Sequence, residues 1–133
     1  MIQRPDRGYV TSLCRLFPLP QVTEMIPTEI SPKKVKELMD SQSNLLLVDC
    51  RQPEEYEICK IDGSILIPMN ETPQRIEEIQ AAGDKPIIVY CHHGMRSLQV
   101  VNWLRTQGFG NSQSMSGGID AWSQTIDPSV PTY

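Results

Sequence analysis

The chain has 133 residues, of which 39% are hydrophobic, and its formal net charge at pH 7 is −4. This length supports one ordinary hydrophobic core, and therefore one domain. Because the net charge is negative, the chain has no overall positive potential that would attract nucleic acid. No apolar run approaches the ~18 residues that span a membrane. We therefore expect a soluble, cytoplasmic protein that binds neither nucleic acid nor membranes.

The first part of the chain differs from the rest. Prolines interrupt any long periodic pattern there, so we predict an N-terminal arm over residues 1–25 and a domain over residues 26–133. The four cysteines show no paired spacing, which suits a reducing compartment better than a disulfide scaffold.

Within the domain, apolar runs alternate with helical patterns. The predicted elements are a helix begun by Ser31-Pro32, a strand at 45–48, a short helix from Pro53, a strand at 64–67, a helix capped by Thr72-Pro73, a strand at 87–90, a helix carrying Leu98, Val101 and Leu104, a weak strand at 112–115, and a short helix carrying Trp122 as a core residue. Such alternation predicts an α/β fold with a mostly parallel central sheet and helices on both faces, because parallel neighbours need crossover connections.

Three polar or reactive residues follow the ends of predicted strands. Asp49 and Arg51 follow one strand, and Cys91 follows another. Ligands of parallel sheets bind at the carboxyl ends of the strands. We therefore predict one shared site rather than three unrelated positions.

Residues 91–97 read Cys-His-His-Gly-Met-Arg-Ser and lie between a strand and a helix. Backbone N–H groups of a tight loop and of a helix N-terminus carry partial positive charge, which stabilises a thiolate or a bound anion. Gly94 allows a positive φ, and Arg96 adds a permanent cation. These features favour Cys91 as a nucleophile with a lowered pKa over a plain core thiol.

Four sets of residues resemble those of a known family, the single-domain rhodaneses, from about residue 30 to residue 122. They are Val48-Asp49-Cys50-Arg51, then Glu55-Tyr56 followed by Ile61-Asp62-Gly63-Ser64 and Ile67-Pro68, then 91–97, and finally Gly117-Gly118-Ile119-Asp120-Ala121-Trp122. The resemblance implies a rhodanese-like fold and a thiosulfate sulfurtransferase. One departure is Cys59-Lys60, where the family often has Gly-His.

The resemblance also implies roles for individual residues. Cys91 accepts a sulfane sulfur as a persulfide, and the cradle around that sulfur is formed by His92, His93, Gly94, Met95 and Arg96. Asp49, Arg51 and Ser97 brace the loop. The donor is a small molecule such as thiosulfate, the acceptor is a thiol or a protein, and no cofactor is needed.

Other interpretations remain open at this point. A dual-specificity-type phosphatase also sets cysteine before arginine on a loop, and a binding module can keep the fold without the activity, although an intact Cys91 argues against that. We predict no metal at His92 and His93, because adjacent side chains diverge and no fourth ligand is spaced to join them with Cys91. Cys50 and Cys59 are interpreted as buried small hydrophobic residues rather than resolving thiols.

Overall fold

The computed structural model describes residues 26–41 and 44–133, which form five parallel strands and their connecting helices. In chain order the elements are β1 (Glu29–Ile30), α1 (Pro32–Ser41), β2 (Leu46–Asp49), α2 (Pro53–Ile58), β3 (Ile65–Leu66), a 3₁₀ turn (Met69–Glu71), α3 (Ile76–Gln80), β4 (Ile87–Tyr90), α4 (Met95–Thr106), β5 (Ser112–Met115) and α5 (Gly118–Thr125). The predicted arm, residues 1–25, lies outside the described residues.

The sheet has the spatial order β1-β5-β4-β2-β3, with β4 in the centre. All four residues of β4 are buried, which explains why this strand is apolar on both faces. Strands β2 and β4 pair in register from Leu46 opposite Ile87 to Asp49 opposite Tyr90. Their carboxyl ends therefore meet at the same edge of the sheet, as predicted for the shared site.

Helices cover both faces of the sheet, so the predicted α/β class is confirmed. One core combines alternate residues of β4 with α3 and α4, through Ile87, Val89, Ile79, Val101 and Leu104. The other combines the remaining β4 residues with α1 and α5, through Ile88, Tyr90, Val35, Ile119 and Trp122. Trp122 is thus a core residue, as expected.

Two local predictions can be compared with the structure. Ser31 does cap α1, because its Oγ accepts a hydrogen bond from the N–H of Lys34 at 3.2 Å. The predicted cap at Thr72-Pro73 is wrong, since α3 begins only at Ile76. Thr72 instead closes the 3₁₀ turn, and its buried hydroxyl donates to the carbonyl of Pro68 at 3.4 Å.

Across residues 26–41 and 44–133, no helix combines the length and the apolar character needed to cross a bilayer.

Candidate active site

Cys91 lies at the carboxyl end of the central strand, directly before a loop that leads into α4. Its side chain is almost fully buried, with 1% of the residue exposed. Gly94 precedes α4 as its N-cap residue and adopts a φ of 104°, so the positive φ predicted from the sequence is confirmed. The loop therefore turns back over the cysteine and presents the first N–H groups of α4 to it.

Three groups of the loop and helix contact the sulfur of Cys91. The N–H of Gly94 donates to Sγ at 3.1 Å, and the N–H of Ser97 donates at 3.4 Å. The hydroxyl oxygen of Ser97 lies 3.5 Å from Sγ, and 2.7 Å from the hydroxyl oxygen of Ser114 on β5. Ser97 is fully buried and thus holds the loop, the sulfur and the adjacent strand together.

Cys50, Ser97 and Gly94 together lower the pKa of Cys91 to about 4. The largest cause is a hydrogen bond with the thiol of Cys50, which stabilises the thiolate. Burial raises the pKa, but the hydrogen bonds from Ser97 and Gly94 act with that from Cys50 and outweigh it. The site is therefore built to hold a negatively charged sulfur.

We expect Cys91 to be a thiolate throughout the neutral range. A free cysteine titrates near ~8.5, whereas the lowered pKa of Cys91 keeps the thiolate until the pH falls through about 4. The ultraviolet absorbance of the thiolate, taken as the difference between the protein and its Cys91→Ser variant, measures this. A difference signal that disappears at the pH of an ordinary free thiol would contradict the expectation.

The carbonyl groups at the start of the loop are held from behind by α5. The N–H of Ile119 donates to the carbonyl of Cys91 at 2.8 Å, and the N–H of Asp120 donates to that of His92 at 3.1 Å. Gly118 approaches these carbonyls so closely that a Cβ there would overlap both oxygens. Because the N–H of a trans peptide group points opposite to its carbonyl, the N–H groups of His92 and His93 point away from α5.

Arg96 carries its charge beside the site in a bidentate ion pair. Its Nη1 and Nη2 donate to the two carboxylate oxygens of Glu55 on α2, at 2.8 and 3.0 Å. The Arg96 guanidinium is the main cause that lowers the pKa of Glu55 to about 2. Arg96 therefore contributes a fixed cation near Cys91, while its planar fork is engaged by a carboxylate.

Asp49 and Arg51 form a fully buried ion pair at the end of β2. Nη2 of Arg51 donates to Oδ2 of Asp49 at 2.6 Å and also to the carbonyl of Cys59 at 2.6 Å. Nη1 donates to the hydroxyl of Tyr133 at 2.8 Å. Within the described part of the chain, neither residue hydrogen-bonds to the loop over 92–97, and Arg51 is linked to that loop indirectly through Tyr133.

Tyr133 connects this pair to the loop. Its hydroxyl donates to Glu55 at 2.8 Å, and its ring stacks on that of His92 with centroids 4.0 Å apart and planes 7° apart. The ring of His92 stacks in turn on His93, at 3.9 Å and 28°. The expectation that the two histidine side chains diverge is therefore wrong, because the flat ring of Tyr133 offers a surface on which the ring of His92, and then that of His93, can stack.

The stacking still disfavours a shared metal ion. Ligand atoms of His92, His93 and Asp120 lie within 4.8 Å of one another. However, imidazole nitrogens coordinate in the plane of the ring, and the in-plane directions of two stacked rings run side by side instead of converging on one tetrahedral centre. The prediction of no metal at these histidines stays a prediction, now with a different physical reason.

Sequence reasoning assigned no role in the site to four residues that shape it. They are Glu55, Ser114, Gly118 and Tyr133, as described above. Met95, predicted to bind substrate, is 73% exposed at the start of α4, and His93 is also exposed. The structure thus brings Cys91, Gly94 and Ser97 into direct contact and places Met95 and His93 at the outer surface of the loop.

Comparison with known proteins gives a consistent picture. The family model for the Rhodanese-like domain matches residues 31–125. A sulfurtransferase from Allochromatium vinosum is 33% identical over 96 residues, covering 72% of this chain and 88% of the relative. The rhodanese-like/PpiC domain-containing protein 12, chloroplastic, from Arabidopsis thaliana is 39% identical over 89 residues, covering 65% of this chain but only 30% of that protein. The chain thus spans less than a third of this longer relative.

A solved structure shows the same fold. The crystal structure of a rhodanese-related protein from Thermoplasma volcanium superposes with a TM-score of 0.68 and 28% identity. It covers 80% of this chain and all of that chain.

Proposed function

This chain belongs to the rhodanese-like sulfurtransferase family, and we propose that it moves a sulfane sulfur through a persulfide on Cys91. The donor is thiosulfate or another persulfide-type donor, and the acceptor is a thiophilic small molecule, a thiol or a protein thiol. The observation that supports this most is that the buried sulfur of Cys91 accepts hydrogen bonds from the N–H groups of Gly94 and Ser97.

The proposed first step transfers sulfur to the enzyme. The Cys91 thiolate attacks the outer sulfur of thiosulfate, the bond between the two donor sulfurs breaks, and sulfite leaves with the electron pair. The outer sulfur then carries the negative charge of the persulfide. In the second step the acceptor attacks that outer sulfur, and the Cys91 thiolate leaves.

The loop supplies hydrogen-bond donors and positive charge for the anions of both steps. Among the described residues, the N–H groups of Gly94 and Ser97 already bond to Sγ, while those of His92, His93, Met95 and Arg96 do not. We assign these remaining groups to the outer sulfur of the persulfide, which lies one bond further towards the mouth. The Arg96–Glu55 pair places a guanidinium nearby that attracts an anionic donor.

Bracing of this cradle is assigned to three residues. Ser97 acts directly, through its bonds to Gly94 and Ser114. Asp49 and Arg51 act at a distance, because Arg51 holds the hydroxyl of Tyr133 while the ring of that tyrosine stacks on His92.

A phosphatase activity is not expected from this loop. Only four residues separate Cys91 from Arg96, and the related phosphatases resembled by this pattern carry one residue more. A shorter loop leaves a narrower cradle, which suits a single sulfur atom better than a tetrahedral phosphoryl group that must come close to the thiolate.

The test is mass spectrometry of the protein after thiosulfate treatment, with an aryl phosphate assay in parallel. In samples quenched with acid soon after mixing, we expect a gain of one sulfur atom located on the peptide that contains Cys91, and no phosphate release. Cysteine-dependent hydrolysis of the aryl phosphate without any persulfide would replace this proposal by the phosphatase. Absence of both reactions would favour a binding module.

A further inference from the structure

A second buried thiol lies beside Cys91. Cys50 directly follows β2, and its N–H donates to the carbonyl of Tyr90 on β4 at 3.0 Å. The register that ends with Asp49 opposite Tyr90 therefore continues with Cys50 next to Cys91. Both side chains belong to the same core on one face of the sheet, with 0% and 1% of each residue exposed.

The two thiols are neighbours in the same core, and each is the largest cause of the shift in the pKa of the other, which is raised for Cys50 and lowered for Cys91. Neighbouring strands lie about 4.8 Å apart, and a disulfide needs Cα atoms roughly 4.4–6.8 Å apart. The general spacing of neighbouring strands therefore lies within the range that a disulfide between Cys50 and Cys91 requires. The sequence predicts a buried apolar role for Cys50, and the structure confirms the burial but adds this neighbour.

We propose that Cys50 is a resolving thiol, which attacks Sγ of the Cys91 persulfide, forms a Cys50–Cys91 disulfide and releases the outer sulfur as hydrosulfide. This inference rests on the proposed function, because it requires the Cys91 persulfide. It adds a second fate for the bound sulfur, namely reductive release in place of transfer to an external acceptor.

The step is balanced without any outside oxidant. The bond between Sγ of Cys91 and the outer sulfur breaks, a bond between the two cysteine sulfurs forms, and the thiol proton of Cys50 leaves with the hydrosulfide. The sulfane sulfur is reduced to sulfide, and the two cysteines are oxidised to a disulfide. A dithiol reductant then returns both cysteines to thiols for another cycle.

The charges of the site favour this step only once sulfur is bound. In the resting protein, the neighbouring Cys91 thiolate and burial raise the pKa of Cys50, so Cys50 is a neutral thiol. Persulfide formation moves the negative charge outward to the terminal sulfur. Cys50 then faces a neutral Sγ, and the loop N–H groups stabilise the hydrosulfide as it leaves.

Cys59 provides the matched control. It is also buried, with 7% exposed, but it belongs to the core on the other face of the sheet. Its sulfur lies 3.9 Å from Nη1 of Arg51. A thiol on the opposite face cannot reach Sγ of Cys91 without unfolding part of the sheet, so Cys59 should not resolve the persulfide.

The experiment uses the full chain, which is first reduced with a dithiol; the dithiol is then removed under anaerobic conditions. Stoichiometric thiosulfate is added in the absence of cyanide and of any other thiol. We expect hydrosulfide release and a disulfide that links the peptides of Cys50 and Cys91. In Cys50→Ser, which keeps a hydroxyl donor, the persulfide should persist, with hydrosulfide release slowed by at least about 10²-fold because the neighbouring nucleophile is lost. Cys59→Ser should behave like the unmodified protein.

Each outcome decides the question. A stable Cys91 persulfide in the unmodified protein, with no hydrosulfide, would refute the resolving role while leaving the proposed function standing. A disulfide between Cys91 and any cysteine other than Cys50 would also refute it. Absence of a persulfide in both the unmodified protein and Cys50→Ser, with no hydrosulfide, would refute the proposed function and this inference with it. Peptide mapping of the unmodified protein tests the disulfide even if the serine variant does not fold.

Discussion

Replacement of Cys91 by alanine should abolish the transfer of sulfur from thiosulfate to cyanide while the protein stays folded. The thiolate is the group that accepts the sulfur in the proposed reaction, so no other residue can carry the intermediate. We expect a loss of roughly 10³-fold or more in kcat/KM, as is common when a covalent nucleophile is removed. Steady-state kinetics with both substrates measures this loss.

Stability separates the loss of chemistry from the loss of structure. Cys91 is buried in the core beneath the loop, but alanine removes only one sulfur atom, so the free energy of unfolding should fall by about 1 kcal/mol. Cys59→Ala also removes a buried thiol, from the other core, and should keep most of the rate. Wild-type turnover by Cys91→Ala would show that the nucleophile has been assigned to the wrong residue.

The sequence predicts correctly those elements that are defined by neighbouring residues, and it misses those that depend on residues far apart in the chain. Strands β4 and β5 lie where the sequence places them, because short apolar or alternating runs between turns define them locally. Strand β1 has only two residues and exists through its pairing with β5, so it carries no local signal. The start of α3 was missed because Thr72 resembles a cap residue but is buried against Pro68.

The same distinction between local patterns and contacts of distant residues holds for the active site. Cys91 and the positive φ of Gly94 follow from a strand-to-helix loop with glycine in it, which is a local pattern. The pairing of Arg96 with Glu55 joins residues 41 positions apart, and that of Arg51 with Tyr133 joins residues 82 positions apart. Such partners depend on the folded arrangement of the sheet, and no spacing in a single sequence indicates them.

Gly118 is another distant residue that sets the geometry of the loop. The α5 N-terminus holds the carbonyl groups of Cys91 and His92, and this contact requires the two backbones to approach more closely than any side chain permits. The φ of Gly118 is +63°, a conformation that also disfavours other residues. Gly118 therefore decides where the loop carbonyls point, and through them where its N–H groups point.

Gly118→Ala should damage both stability and catalysis, because the new Cβ would overlap the carbonyl oxygens of Cys91 and His92 and push the loop away from α5. The positive φ alone costs roughly 1–2 kcal/mol, and the overlap adds about 1–3 kcal/mol. A loop displaced by ~1 Å can lower kcat/KM by about 10²-fold, and the pKa of Cys91 should rise as its hydrogen bonds lengthen.

Gly83→Ala is the matched control, since Gly83 has a φ of +62° and nothing within 4 Å of the position that a Cβ would take. In denaturant unfolding, Gly83→Ala should lose only the free energy that a positive φ costs, and it should keep the kcat/KM of the unmodified protein. If the two variants lost equal stability and both kept full activity, the contact between α5 and the loop would not be what shapes the site.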